Sequence, residues 1–170
     1  PNPLNVYAAT KLAGEYFVRN YADRGYIIRV SGIYGKVPCR AKGGNFITTM
    51  MRLAKEKPEV KVVTDEILTP TSTRDIAENS LRLIEQRPDF GIYHMTNEGE
   101  CSWYEFAREI FTVLKLTTPL LKSSVSQMPS TVKRPYYSVL ENQMLKSAGI
   151  NIMPHWKQAL HSFLQTNFPI

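Results

Sequence analysis

Residues 3–15 are Pro3-Leu4-Asn5-Val6-Tyr7-Ala8-Ala9-Thr10-Lys11-Leu12-Ala13-Gly14-Glu15, and they contain the start of the first predicted helix. Apolar side chains recur at helical spacing from here on, which predicts a helix over residues 6–22. The stripe expected to face inward consists of Ala9, Leu12, Ala13, Tyr16 and Phe17. Tyr7 and Lys11 are one turn apart and fall roughly opposite this stripe, so both can reach one site.

The pair Tyr7 and Lys11 suits a specific chemistry. An ammonium beside a phenol favours the phenolate, and such a tyrosine can exchange a proton with a carbonyl or an alcohol near neutral pH. The lysine can also donate a hydrogen bond to the ribose of a cofactor. Taken alone, the pair more often means a surface tyrosine beside a solvated lysine. Its catalytic interpretation therefore depends on the rest of the chain.

The composition is that of an ordinary globular chain. Of the 170 residues, 43% are hydrophobic and 21% are charged, which excludes a disordered chain, and no apolar run can span a membrane. The net charge of +6 comes from scattered residues, with no run longer than Lys133-Arg134, which argues against nucleic-acid binding. Cys39 and Cys101 are expected to be reduced thiols of a cytoplasmic protein, and no ligand spacing predicts a metal site.

Helical and strand-like segments alternate along the chain, which predicts an α/β fold. Further helices are expected at residues 46–57 and 140–148, and strands at residues 26–31, 60–63 and 91–95. Ser72-x-x-Asp75 and Ser102-x-x-Glu105 have the form of capping boxes that begin helices, and Pro154 is expected to open the last one. Residues 35–44 are predicted to form a mobile or ligand-covering loop, and residues 117–135 an extended or irregular segment.

The stretch 3–15 resembles the active-site helix of the extended short-chain dehydrogenases/reductases, and within them most closely that of the dTDP-4-dehydrorhamnose reductases. Further segments resemble that family in the same order, namely Arg29-Val30-Ser31-Gly32-Ile33-Tyr34-Gly35, Gly44-Asn45-Phe46, residues 51–55, residues 62–65, Pro70-Thr71 and residues 133–140. The resemblance implies part of a Rossmann-type domain at residues 1–35, followed by a smaller α/β substrate-binding domain at residues 36–170.

The resemblance also implies a reaction: hydride transfer from NADPH or NADH to C4 of a nucleotide-linked 4-keto-6-deoxy sugar. Tyr7 would protonate the emerging alkoxide, and Lys11 would hold the nicotinamide ribose. The other residues that it implies are Ser31, Gly32 and Ile33 beneath the nicotinamide, and Asn45, Phe46 and Arg134 at the sugar nucleotide. For partners we expect this nucleotide sugar and allow for a homodimer.

Several of these residues have a second interpretation that stays open at this point. Asn45 can simply cap the following helix, Phe46 can belong to the core, and Arg134 can be a solvated loop charge. Glu15 is interpreted as a solvated helix charge rather than a catalytic acid. Trp103 and Trp156 are expected in the core.

The chain departs from the family pattern in what it lacks. No Gly-rich phosphate-binding turn and no catalytic Ser/Thr precede Tyr7, so we expect this to be the C-terminal portion of a longer protein. Alone, it is expected to be inactive and to bind nicotinamide weakly. Relatives often carry Trp where this chain has Gly32, and the 36–43 loop is expected to be longer than in many of them.

Two other functions remain compatible with the sequence. One is a sugar-nucleotide epimerase or dehydratase of the same superfamily. The other is a non-catalytic regulatory subunit of the methionine adenosyltransferase type, which resembles the same reductases. For the chain alone, the first helix and the first strand, without their sheet neighbours, are expected to expose apolar surface and to favour self-association or domain swapping.

Overall fold

A computed structural model describes residues 1–37, 43–128 and 133–168 of the chain. In these ranges the helices are α1 (Val6–Tyr21), α2 (Phe46–Glu56), α3 (Thr73–Gln86), α4 (Trp103–Val113), α5 (Gln143–Ser147) and α6 (Trp156–Asn167). The strands are β1 (Tyr26–Arg29), β2 (Ile33–Tyr34), β3 (Val60–Val63), β4 (Ile67–Leu68), β5 (Thr71–Ser72), β6 (Gly91–His94), β7 (Cys101–Ser102) and β8 (Leu120–Ser123). A short 3-10 helix covers Val125–Gln127. The predicted α/β class is confirmed.

The described strands pair two by two, and most pairs are parallel. β1 pairs with β6, β2 with β5, and β3 with β8 in parallel, whereas β4 and β7 are antiparallel. Parallel neighbours need a long connection, which the intervening helices provide. In the first pair Tyr26 lies opposite Gly91 and Arg29 opposite His94, so the end of β1 that precedes Ser31 is fixed against β6.

Two hydrophobic clusters form the core. The first lies between α2, α4 and α6 and includes the fully buried Ile47, Phe106, Ile110 and Leu160. Trp156 is buried there, which confirms its core interpretation, whereas Trp103 is partly buried and packs against the cluster. The second cluster contains Leu83, Tyr93, Met95, Leu145, Ile150 and Met153, with Tyr26 and Ile28 of β1 packed against it. The predicted domain boundary after residue 35 stays a prediction.

The two predicted capping boxes have different outcomes. At α4 the prediction is confirmed: Ser102 Oγ accepts from the amide of Glu105 at 3.1 Å, and Glu105 accepts from the amide of Ser102 at 2.8 Å. At α3, Ser72 does cap the helix, but the prediction for Asp75 is wrong. Its carboxylate accepts from Asn97 Nδ2 at 2.7 Å instead, because the buried Asn97 needs a hydrogen-bond partner.

Two helices begin later than predicted. α5 begins at Gln143 rather than at residue 140 because the side chain of Asn142, which is 1% exposed, is bonded to Thr96. Asn142 Oδ1 accepts from the amide of Thr96 at 3.0 Å, and Nδ2 donates to its carbonyl at 2.7 Å. α6 begins at Trp156, after the N-cap His155, rather than at Pro154.

Of the predicted inward stripe of α1, only Leu12 lies on the face that contacts the rest of the chain, and the prediction is wrong for its other members. Tyr16 is 52% exposed and Phe17 is 64% exposed, and no residue of α1 is fully buried. The half-buried positions are Ala8, Leu12 and Glu15, which share the face that contacts the rest of the chain. The expectation that the first helix exposes apolar surface is therefore confirmed. The face that packs against the rest of the protein is rotated about the helix axis from the face that the apolar periodicity predicts.

Three further features complete the fold. Residues 38–42 of the predicted ligand-covering loop and residues 129–132 of the irregular segment lie outside the described residues. The rest of the 117–135 segment contains β8 and the short 3-10 helix, in agreement with an extended or irregular segment. No helix among the described residues has both the length and the apolar character needed to cross a bilayer.

Candidate active site

Helix α1 presents Tyr7 and Lys11 together on an open surface. Its first turn is fixed by Asn5, whose side-chain Oδ1 accepts from the amide of Ala8 at 2.9 Å. The Tyr7 side chain is 70% exposed, and Lys11 Nζ lies 5.6 Å from the centre of the Tyr7 ring. An ammonium at this distance interacts favourably with an aromatic ring. The structure therefore brings the two side chains together and leaves both accessible to a ligand.

An ion pair attaches the middle of α1 to strand β1. Arg29 donates from Nε and Nη2 to the two carboxylate oxygens of Glu15 at 2.8 and 2.6 Å. The Arg29 hydrogen bonds hold the pKa of Glu15 below its usual range. The interpretation of Glu15 as a solvated charge is wrong, because its side chain is only 18% exposed and is matched by a bidentate partner.

The chain after β1 carries the residues predicted to lie beneath the nicotinamide. Ser31 is buried, and its Oγ lies 3.4 Å from Ser138 Oγ. Gly32 has a φ of +55°, and a Cβ atom there would lie 2.7 Å from Leu68 Cδ1 and 2.9 Å from the carbonyl oxygen of Thr69. Any side chain at this position would be strained by the positive φ and would collide with Leu68 and Thr69, so the turn requires glycine. The side chain of Ile33 is 51% exposed.

The Arg134 segment, residues 133–138, lies between α1 and strand β4 and is bonded to both. At its start, Asn5 Nδ2 donates to the carbonyl of Lys133 at 2.9 Å. Further on, the amide of Ile67 donates to the carbonyl of Tyr136 at 2.7 Å, and the amide of Ser138 donates to the carbonyl of Ile67 at 2.9 Å. The Arg134 side chain is exposed. Its backbone is thus held on both sides while its guanidinium remains available to an anion.

Asn45 and Phe46 have clear structural roles at the start of α2. Asn45 Oδ1 accepts from the amide of Thr48 at 3.0 Å, so the capping interpretation is confirmed, and its Nδ2 donates to the carbonyl of Gly35 at 2.8 Å. Phe46 packs against the first cluster, with its ring centre 4.5 Å from that of Trp103. No hydrogen bond of the described residues joins either side chain to α1. Their contacts with a substrate stay predictions.

Sequence reasoning assigned no role to Asn5 or Ser138, and it placed Glu15 in solvent, although all three contribute to this arrangement. The position of Asn5 directly before a predicted helix is a capping signal that could have drawn attention to it. The partners of Glu15 and Ser138 are remote in sequence, by 14 and 107 residues, so no local pattern indicates either contact.

A groove on the surface is separate from the predicted site. A groove of about 480 Å³ lies between the start of α3 and helix α6, where Lys36 and Arg74 contribute positive charge and Asp75 and Glu78 negative charge. It includes none of the predicted site residues. Among residues 1–37, 43–128 and 133–168, no three His, Cys, Asp or Glu side chains are grouped so that they could hold a metal ion.

Curated relatives resemble the chain along nearly its whole length. The spore coat polysaccharide biosynthesis protein SpsK of Bacillus subtilis (strain 168) is 40% identical over 164 residues, which cover 96% of this chain and 55% of that protein. The dTDP-4-dehydrorhamnose reductase of Escherichia coli (strain K12) is 32% identical over 176 residues, which cover 98% and 57%. The chain therefore spans somewhat more than half the length of the relatives it matches.

A solved structure gives the same result in three dimensions. The dTDP-4-dehydrorhamnose reductase of Bacillus anthracis str. Ames, crystallised in complex with NADP, superposes with a TM-score of 0.90 at 38% identity, over 98% of this chain and 57% of that chain. The family model described as RmlD substrate binding domain matches residues 1–168. The chain belongs to the RmlD substrate-binding domain family.

Proposed function

We propose that this chain supplies the proton-transfer pair and part of the substrate site of a cytoplasmic NADPH-dependent reductase that converts dTDP-4-dehydrorhamnose into dTDP-L-rhamnose. The observation that carries the proposal is the exposed pair Tyr7 and Lys11 on a helix whose first turn is bonded to the Arg134 segment. The names of the matched reductases and the NADP bound to one of them support the substrate and the cofactor.

The residues of this chain fit such a cofactor in part. Tyr7 and Lys11 offer a hydroxyl and an ammonium on one accessible face, as a nicotinamide ribose beside a reacting carbonyl requires. Contacts of Ser31, Gly32 and Ile33 with the nicotinamide remain part of the proposal. NADPH, when bound, supplies the hydride. No Gly-rich turn for its pyrophosphate occurs in the 170 residues, so weak cofactor binding by the chain alone stays our prediction.

Each residue then has one task. Tyr7 donates its hydroxyl proton to the oxygen at C4 as the hydride reaches the carbon, so that the ketone becomes a secondary alcohol and the phenolate regains its proton from solvent. Lys11 stabilises the phenolate in the interval. Arg134, held at its backbone, can bind the substrate pyrophosphate with its planar guanidinium. Substrate contacts of Asn45 and Phe46, and a homodimer, remain part of the proposal.

The decisive experiment uses the protein expressed from the complete open reading frame. NADPH oxidation is followed by absorbance with dTDP-4-dehydrorhamnose as substrate. We expect turnover, and we expect Tyr7→Phe to lower kcat by about 10²- to 10⁴-fold, the usual contribution of a general acid. The melting temperature should stay unchanged because the Tyr7 side chain is 70% exposed.

Tyr21→Phe is the matched control, since Tyr21 lies on the same helix and is 81% exposed. It should leave kcat unchanged. Cofactor binding without turnover would contradict the reductase and support a regulatory subunit. Interconversion of sugar nucleotides without net NADPH consumption would support an epimerase instead.

A further inference from the structure

The N-cap of α1 uses both ends of one side chain. Asn5 Oδ1 accepts from the amide of Ala8 and so completes the first turn of the helix, while Nδ2 donates to the carbonyl of Lys133, 128 residues away. Among the residues that commonly cap helices, only asparagine combines an acceptor with N–H donors on one rigid amide. Aspartate can only accept when it is ionised, and serine offers a single hydroxyl on a shorter side chain.

The carbonyl that Asn5 binds belongs to the peptide unit between Lys133 and Arg134. The same side chain lies two residues before Tyr7, about 3 Å along the helix axis. One hydrogen bond therefore joins the turn that carries Tyr7 to the peptide that carries Arg134.

This hydrogen bond closes a ring of contacts around the site. The Glu15–Arg29 ion pair ties α1 to β1, and the Ser31 and Ser138 hydroxyl groups, 3.4 Å apart, tie the end of β1 to the far end of the Arg134 segment. Asn5 completes the ring by joining the near end of that segment to α1. A closed ring of this kind restricts relative movement of its members more than either end contact alone.

The other helix caps support a special use of asparagine here. Asn45, at the start of the helix that carries Phe46, also accepts from its own helix and donates to a separate segment, at Gly35. The hydroxyl groups of Ser72 and Ser102, which cap α3 and α4, bond to the first turn of their own helices and to no separate segment among the described residues. Asn142, at the start of α5, bonds to Thr96 but makes no hydrogen bond to the first turn of its own helix. In the described part of the chain, α1 and α2 are thus the helices whose asparagine cap both completes its own first turn and bonds to a separate segment, and both carry predicted site residues.

We propose that Asn5 is a positioning residue of the reductase. It fixes the Arg134 peptide relative to Tyr7, so that Arg134 can bind the substrate pyrophosphate while the reacting carbonyl of the sugar lies at Tyr7. The inference rests on the proposed function of Tyr7 and Arg134. Asn5 itself touches neither the substrate nor the reacting atoms in this role. It acts through the backbone of Lys133, and its loss should therefore weaken substrate binding more than it slows proton transfer.

Two substitutions separate this role from simple helix capping. Asn5→Asp and Asn5→Ser both keep an oxygen that can accept from the amide of Ala8, and both lose the N–H donor to Lys133. Aspartate also suits the positive end of a helix, so α1 should remain folded. Because Asp adds a negative charge near a pyrophosphate and Ser does not, only an effect common to both reports the lost bridge. Asn2→Asp is the control for charge, since Asn2 is exposed and three residues away.

The variants are made in the protein expressed from the complete open reading frame. We expect Asn5→Asp and Asn5→Ser each to raise KM for dTDP-4-dehydrorhamnose, and Kd for dTDP in calorimetric titration, by roughly 2- to 12-fold, the factor that corresponds to one hydrogen bond. Their kcat, their Kd for NADPH and their melting temperatures should match the wild type. Asn2→Asp should match it in every measurement.

Other outcomes would overturn the inference. Unchanged KM and dTDP affinity in both variants would show that the bridge does not position the substrate. An effect of Asp without one of Ser would assign the change to charge. A parallel fall in NADPH affinity and melting temperature would indicate a structural cap only.

The proposed function can fail separately. A wild-type protein that binds dTDP but oxidises no NADPH with the sugar nucleotide contradicts the reductase, while the dTDP titrations still decide the role of Asn5. A wild-type protein that does not bind dTDP removes the substrate role of Arg134, and the inference falls with it.

Discussion

Helices α1 and α4 both begin at a polar cap, yet the protein uses them in opposite ways. α4 has 11 residues, and its residues Phe106, Ala107, Ile110 and Phe111 are buried. α1 has 16 residues, and none of them is buried. Since each helix has a side-chain cap, at Ser102 and at Asn5, the difference lies in what their faces contact rather than in how they form.

The comparison shows how a helix can be held in place without burying its side chains in the core. α4 is held by apolar packing on one broad face, so its inward side chains are unavailable to a ligand. α1 is held by polar contacts, the Glu15–Arg29 pair and the Asn5–Lys133 hydrogen bond, with Ala8 and Leu12 half-buried between them. This leaves the face with Tyr7 and Lys11 open to solvent.

The largest expected effect separates the two helices by stability. Phe106 is fully buried, and its ring centre lies 5.6 Å from those of Tyr34 and Phe46. Phe106→Ala should lower the free energy of unfolding by about 3–5 kcal/mol, through lost burial and the cavity left behind. Urea denaturation of the chain, followed by circular dichroism, measures this loss.

Phe17→Ala on α1 is the matched control. Phe17 is 64% exposed, so the same change should alter the free energy of unfolding by less than about 0.5 kcal/mol. Comparable losses in the two variants would show that α1 is as much a part of the core as α4, and the contrast between the helices would be wrong.

The two helices also differ in how far sequence predicts them. In α4 the capping box and the inward positions of Phe106, Ala107, Ile110 and Phe111 follow from local rules, because amphipathic periodicity and burial agree. In α1 the bounds are predicted within one residue, but of the contacting face only Leu12 is predicted. An apolar pattern specifies which side chains favour burial. The face of α1 that contacts the rest of the protein also depends on Arg29, which lies on β1 and pairs with Glu15.

The candidate site divides in the same way. That Tyr7 and Lys11 share one face follows from helical spacing alone. The bridge from Asn5 to Lys133 depends on a chain separation of 128 residues, and the contact of Ser31 with Ser138 on one of 107. The pairing of β1 with β6 also joins distant parts of the sequence, Tyr26 with Gly91, and its register is set by tertiary packing rather than by local propensity.

A smaller effect is expected from the ion pair that holds α1. Glu15→Gln removes the charge from a largely buried bidentate pair and should reduce the local stability of α1 by about 1–2 kcal/mol. Hydrogen exchange of the α1 amides measures the change as loss of protection. Glu56→Gln is the control: its pair with Arg52 on α2 is exposed at both ends and should contribute almost nothing.

The same pair predicts a pH dependence. Hydrogen bonds from Arg29 lower the pKa of Glu15 in the folded chain. The stabilisation is therefore fully present above the ordinary glutamate pKa and is lost as the pH falls through the lower folded value. Protection of α1 amides should decrease over that acidic window in the wild type and stay flat in Glu15→Gln. The same acid response in both proteins would mean that another group controls the attachment of α1.

The smallest expected effect compares the caps themselves. Ser102→Ala removes the hydroxyl that accepts from the amide of Glu105, and should lower the global free energy of unfolding by about 1 kcal/mol because α4 is part of the core. Thr112→Ala on the exposed side of α4, whose hydroxyl bonds only back to the carbonyl of Arg108, should be close to neutral.

Asn5→Ala removes a cap of the same strength from a helix with no buried residue. Its cost should therefore appear as local opening: faster hydrogen exchange in the first turns of α1, with the urea midpoint of the chain unchanged. A shift of the midpoint as large as that of Ser102→Ala would show that α1 unfolds together with the core. The polar contacts at Glu15 and Asn5 would then couple the helix to global stability, in place of the independent attachment that its exposed surface indicates.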